Sequence, residues 1–137
     1  MNSLYTTAIA AINSGAVNWP TDTIQAVLVS NAYIPNINTD QFYSTIVSAS
    51  AVIGSPETIT GISLTNGILF ANTVVFPTVT SGSTVTYVVV FRYSGSNSTS
   101  QLLCLFDTMY GLPYSTNGAN IPIAWPYGAI FSGTGVL

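Results

Sequence analysis

The fold of this chain is decided by residues 84–93, which read TVTYVVVFRY. Successive side chains of a β-strand point to opposite faces of its sheet. The first face of this segment is apolar throughout and carries Val85, Tyr87, Val89 and Phe91. The opposite face is apolar at its centre, where valines occupy positions 88 and 90. A strand with two apolar faces is typical of a sheet covered on both sides, so this segment is predicted to be a central strand.

Further strand signals occur at short, regular intervals on both sides of this segment. Asn66-Gly67 fits a two-residue hairpin turn, since both residues accept positive φ angles. The Ser- and Gly-containing segment 81–83 is predicted to join another strand pair, and residues 94–100 to form a longer loop tip. This spacing predicts a mainly β protein, an antiparallel β-sandwich. The predicted strands are residues 23–29, 46–53, 57–64, 68–76, 85–93, 101–106, 121–125 and 129–131.

The start of the chain predicts a short α-helix. Ser3 is a suitable N-cap, and apolar residues follow at helical spacing from Leu4 to Ile12 before the sequence reaches Gly15. A polar loop is expected at residues 33–38, followed by a second helical turn over residues 39–42 with Asp40 near its start. No linker or long repeat divides the chain, so residues 1–137 are predicted to form one domain.

Ionisable side chains are scarce: the sequence has one Arg, four acidic residues, no Lys and no His. General acid–base catalysis draws mainly on His, carboxylates and Lys, and metal sites need several converging ligands. Nucleic-acid binding needs many cationic side chains. We therefore expect no enzymatic activity, no catalytic residues, no cofactor, no metal and no nucleic-acid partner. A membrane partner is not expected either, since no apolar run approaches the ~20 residues of a spanning helix.

The few reactive side chains have structural interpretations. Asp22 is predicted to organise the turn before the first long strand. Arg92 is predicted to form an ion pair, with Asp107 as its partner, or to anchor backbone carbonyls; an interface hot spot is the alternative. Cys104 lies in the apolar run 101–106 with no cationic neighbour, which favours a core position over a nucleophilic role.

A surface with so little charge provides weak repulsion between molecules, which favours an assembled working form. The alternative is an extracellular domain that simply tolerates its Ser, Thr and Asn surface. Contacts are expected from loops 33–38, 94–100 and 110–117. The candidate interface residues are Tyr33, Asn36, Asn97, Tyr110, Tyr114 and Asn117. A function of another class is glycan binding by stacking on the aromatic rings of Tyr110, Tyr114 and Trp125.

Several phrases together resemble a group of small virion proteins of tailed bacteriophages. They are Leu4-Tyr5-x-x-Ala8, Trp19-x-x-Asp22-x-Ile24, Tyr33-x-Pro35-Asn36, the hairpin 67–77, the strand 82–91, Gly111-Leu112-Pro113, Asn117-Gly118, and Ile121-x-Ile123-x-Trp125-x-x-Gly128-x-Ile130-Phe131. The resemblance implies a non-enzymatic structural protein located in the virion. It leaves two placements: a capsid decoration (cement) protein, or a tail- or fibre-associated protein. We favour decoration, in which many copies, with homo-oligomers as one form, bind the major capsid protein and stabilise adjacent capsomers; tail proteins are the alternative partners.

Overall fold

The computed structural model describes residues 2–109, 111–132 and 135–136. Its helices are α1 (Thr6–Asn13), α2 (Ser44–Ser48) and a short 3-10 turn (Pro126–Gly128). Its strands are β1 (Ser3–Leu4), β2 (Ile24–Val29), β3 (Val52–Thr58), β4 (Ser63–Thr65), β5 (Ile68–Phe70), β6 (Val74–Phe76), β7 (Thr84–Val85), β8 (Tyr87–Arg92), β9 (Gln101–Phe106), β10 (Tyr114–Ser115), β11 (Ile121–Ile123), β12 (Ala129–Ser132) and β13 (Gly135–Val136).

The principal sheet has five antiparallel strands in the order β1-β9-β8-β2-β3. Strand β8 lies in the middle, paired with β2 on one side and β9 on the other. Its residues Val88, Val89 and Val90 are fully buried, which confirms the prediction of a central strand covered on both faces. Tyr87 is only half-buried, and Val85 belongs to the separate strand β7.

The two faces of this sheet are covered by different elements. On one face, the Tyr43 ring before α2 stacks on Phe91, with centroids 4.3 Å apart and planes 5° from parallel. On the opposite face, Trp125 before the 3-10 turn packs its ring 5.3 Å from that of Phe106. The smaller sheets pair β10 with β7, pair β11 with β6, and join β13-β12-β5-β4. The predicted antiparallel β-sandwich with a short N-terminal helix is therefore confirmed.

Turn chemistry explains part of the strand order. Asn66 and Gly67 have φ angles of 52° and 77° and connect β4 to β5, as predicted for a two-residue hairpin. The 94–100 loop connects the paired strands β8 and β9, also as predicted. The 81–83 segment does not join a pair, because β6 and β7 before and after it pair with β11 and β10. That prediction was wrong.

The predicted start of the N-terminal helix was also wrong. Ser3 does not cap α1. It lies in β1 and pairs with Leu105 of β9. The amide of Tyr5 donates to the carbonyl of Leu103 at 3.0 Å. The first residues of the chain thus form backbone hydrogen bonds with the edge of β9. These bonds stabilise the extended conformation more than a side-chain cap at Ser3 would stabilise the helix. Helix α1 begins at Thr6 without a side-chain cap.

Three further boundaries differ from the prediction. Residues 46–48, predicted to begin the strand 46–53, lie instead in helix α2 (Ser44–Ser48), which buries Ile46. The helical turn expected at 39–42 is absent; Phe42 instead makes an isolated bridge to Gln101. The strands expected at 57–64 and 68–76 are interrupted, where the amide of Ile59 donates to Ile24 and that of Ala71 to Gly128. After these interruptions the chain continues as β4 and β6, which belong to the smaller sheets.

Cys104 is fully buried in β9, as predicted for a core residue. Burial raises the pKa of its thiol, because the thiolate would lose its hydration inside the apolar core. The thiol is therefore held in its protonated, unreactive form.

Candidate functional site

The acidic and basic side chains of this protein are all withdrawn from full exposure. Each of the four acidic residues and the single arginine lies among the described residues and is half-buried. Asp22 accepts a 2.7 Å hydrogen bond from the amide of Asn18, which confirms its predicted role in the turn. Arg92 donates through Nη1 to the carbonyl of Ala16 at 2.6 Å, with its Nε 3.7 Å from Asp22 Oδ2. Arg92 is therefore a backbone anchor.

The predicted pairing of Arg92 with Asp107 was wrong. Arg92 lies opposite Gln101 at the start of β9, whereas Asp107 follows Phe106 at the far end of that strand. The two residues therefore lie at opposite ends of the sheet. The backbone amide of Asp107 donates to Oδ1 of Asn2 at 3.0 Å.

Tyr33 is not a surface contact residue, contrary to the prediction. Only 2% of the residue is exposed, and its hydroxyl lies 3.0 Å from that of Tyr5. The Tyr33 hydroxyl also donates a 2.6 Å hydrogen bond to Asp40, which accepts the amide of Asn36 at 2.8 Å. Burial, together with this hydrogen bond to a carboxylate, raises the pKa of Tyr33. The loop 33–40 is thus folded around a buried tyrosine that its polar sequence did not reveal.

The other candidate interface residues are dispersed over the molecule. Asn36 and Asn117 are exposed, but their side-chain oxygens accept the amides of Asn38 and Ala119 and so stabilise turns. Asn97 is exposed in the β8–β9 loop and its side chain makes no hydrogen bond to the described residues. Tyr114 is half-buried in β10. Tyr110 lies outside the described residues.

The aromatic site expected for glycan stacking is not formed as predicted. Trp125 is 3% exposed, and its indole Nε1 donates to the carbonyl of Asn72 at 3.0 Å. Its ring is therefore unavailable to a sugar. Tyr114 lines a different feature, an apolar cavity of about 180 Å³ that also contains Leu112 and Ile123.

A second, more polar depression lies between α2, β3 and the 94–100 loop, and we call it the Tyr93 groove. Its volume is about 500 Å³. Of its residues, the sequence interpretation had selected only Asn97, because the others come from distant segments that share no local motif. Its lining includes Gln25, Tyr43, Val47, Pro56, Tyr93 and Asn97.

The polar groups of the Tyr93 groove are incompletely hydrogen-bonded. Gln25 donates from Nε2 to Oγ1 of Thr58 at 3.3 Å, which leaves its side-chain oxygen free to accept. The hydroxyls of Tyr43 and Tyr93 make no hydrogen bond to any described residue, although Tyr43 is only 5% exposed. Burial raises the pKa of Tyr43 to about 12, so this hydroxyl stays protonated at neutral pH. The groove can therefore both donate and accept hydrogen bonds without carrying charge.

Within the described ranges, no group of three or more His, Cys, Asp or Glu side chains is placed to hold a metal ion. None of the helices in those ranges has the length and apolar character needed to cross a membrane. No protein-family model matches the sequence, and no curated protein matches it.

Proposed function

We propose that this protein is a non-enzymatic structural component of a phage particle, a capsid decoration (cement) protein that bridges and stabilises capsomers. Its partner is then the major capsid protein, bound in many copies. The observation that carries the proposal is the half-burial of every acidic and basic side chain. The fully exposed side chains of the described residues are consequently all neutral.

A neutral exterior suits a protein that works in an assembly. Free copies lack the charge repulsion that keeps soluble proteins apart. Docking through its fully exposed side chains, which are neutral, removes no ion from water and so avoids the desolvation penalty of buried charge. Large apolar side chains remain exposed and add to the area available for burial, among them Ile34 at 86%, Leu64 at 54% and Tyr127 at 93%.

Tail or fibre attachment is the alternative placement, because the same neutral surface could bind a tail protein. The glycan-binding alternative loses Trp125 from its proposed aromatic set, since that ring is buried.

Localisation of the chain on purified virions tests the proposal. Density or antibody label distributed over the capsid shell is the expected result. Label confined to the tail would contradict the cement role, and absence of the chain from the particle would contradict any virion role.

Salt dependence tests the neutral interface separately. Because screening acts on charges, release from the particle is expected to change little between low and molar salt. A dissociation midpoint that falls steeply with rising salt would contradict an interface built from neutral contacts.

A further inference from the structure

The Tyr93 groove is a shallow depression with the volume of a small-molecule site. Its volume of about 500 Å³ lies within the range of roughly 300–1,000 Å³ found for ligand pockets. Gln25 on β2 and Pro56 on β3 come from the principal sheet, Val47 comes from α2, and Asn97 comes from the β8–β9 loop. Because separate elements hold these residues, the groove is a fixed feature of the fold.

Tyr43 presents to the groove a hydroxyl that no described residue hydrogen-bonds. More than nine-tenths of the residue is buried, and its ring is held against Phe91 by stacking. The residue lines the groove, yet its hydroxyl has no hydrogen-bond partner among the described residues. The hydroxyl opens onto the groove, so a ligand placed there could donate to it and accept from it.

The chemistry of the remaining groove residues restricts that ligand. None of the groove-lining residues is ionisable except the two tyrosines, and a charged ligand would lose hydration without meeting an opposite charge. Asn97 and Gln25 offer amide groups, which recognise hydroxyl groups as donors and acceptors. Tyr93 is 43% exposed and offers a ring face for apolar contact.

We propose that the Tyr93 groove binds an uncharged saccharide. One sugar ring stacks on Tyr93, and its hydroxyl groups bond to the amides of Gln25 and Asn97 and to the Tyr43 hydroxyl. This site goes beyond the proposed role in shell assembly and uses none of the aromatic residues that the sequence had suggested for glycan binding.

An extended peptide is a less suitable occupant. Strand β3 borders the groove at the edge of the principal sheet, but Pro56 within it has no amide hydrogen for pairing. The register of β3 with β2 also shifts between Ala26 and Leu28, and Gly54 has a φ of 69°. An added strand would therefore find an interrupted row of hydrogen-bonding groups.

Titration of the purified full chain with neutral oligosaccharides tests the proposal. The probes are chitotriose, maltotriose and cellotriose, followed by calorimetry and by NMR shifts of groove amides. Saturable binding of at least one probe is expected. Tyr93→Ala is expected to weaken it about tenfold or more through loss of stacking. Tyr43→Phe, which keeps the stacked ring and removes only the hydroxyl, is expected to weaken it several-fold.

Tyr127→Ala is the matched control, since this ring is 93% exposed and does not line the groove. It should leave binding unchanged. The proposal is overturned if none of the three probes binds saturably, or if binding survives both Tyr93→Ala and Tyr43→Phe. The proposal would also be overturned if an uncharged proline-rich peptide bound and none of the three saccharides did. The titration uses isolated protein, so its failure is distinguishable from failure of the virion proposal.

Discussion

Raising the pH above 9 is expected to destabilise this protein steeply. Burial raises the pKa values of Cys104, Tyr5, Tyr33 and Tyr43 above their ordinary values of 9.0 for the thiol and 10.0 for the hydroxyls. At alkaline pH these groups keep their protons in the folded protein and lose them in the unfolded chain. Unfolding therefore releases protons, and the free energy of unfolding falls as pH rises.

The magnitude follows from the number of groups. Each contributes about 1.4 kcal/mol per pH unit once the pH exceeds its unfolded pKa. At pH 11 the three tyrosines together cost about 4 kcal/mol and Cys104 about 3 kcal/mol. That loss is comparable with the whole stability of many domains, about 5–15 kcal/mol. For Tyr43 the loss continues up to about pH 12, where the folded form itself ionises.

Urea unfolding followed by tryptophan fluorescence at successive pH values from 8 to 11 measures this effect. Tyr43→Phe is the informative control, because it retains the ring stacked on Phe91 and removes one ionising group. Its stability should fall less steeply than that of the wild type above pH 10, by about 1.4 kcal/mol per unit. A free energy of unfolding that stays constant from pH 8 to 11 would refute the reasoning. So would identical slopes for the two proteins.

Three further predictions test the fold itself. Phe91→Ala should cost about 3–5 kcal/mol in thermal or chemical unfolding, because its ring is buried and stacked; a cost below about 1 kcal/mol would contradict the packing. Arg92→Met should cost about 1–3 kcal/mol, since it leaves a backbone carbonyl and a carboxylate without their cation; an unchanged denaturation midpoint would count against the anchor. Gly61→Ala should cost more than Gly15→Ala: both glycines have positive φ, but only at Gly61 would a Cβ meet the side chain of Asn72. Equal losses in the two variants would show that backbone strain alone matters.

The sequence predicted strands correctly where the residue pattern within one segment shows how that segment is buried. The alternation in 85–93 and the apolar run 101–106 located β8 and β9 because central strands are apolar on both faces. The strand prediction failed at residues 46–48, since a short apolar segment such as Ile46-Val47 fits a strand or one helical turn equally well.

The candidate site was harder to predict because it depends on long-range contacts. Tyr33 looked like a loop residue, and only the folded chain brings Tyr5 and Asp40 to its hydroxyl. The Tyr93 groove joins Gln25 and Tyr93, which lie far apart in the sequence and share no local motif.

A ribosome making this chain releases β1 long before its partner strand exists. Ser3 and Leu4 pair with Leu105 and Cys104, and β2 gains its β8 partner only once residues 87–92 have been made. At a synthesis rate of about 5–20 residues per second, the wait is on the order of ten seconds. During that time the apolar strands lack both their sheet and the charges that would hold nascent chains apart. Aggregation is therefore a greater hazard during synthesis of this protein than after it has folded.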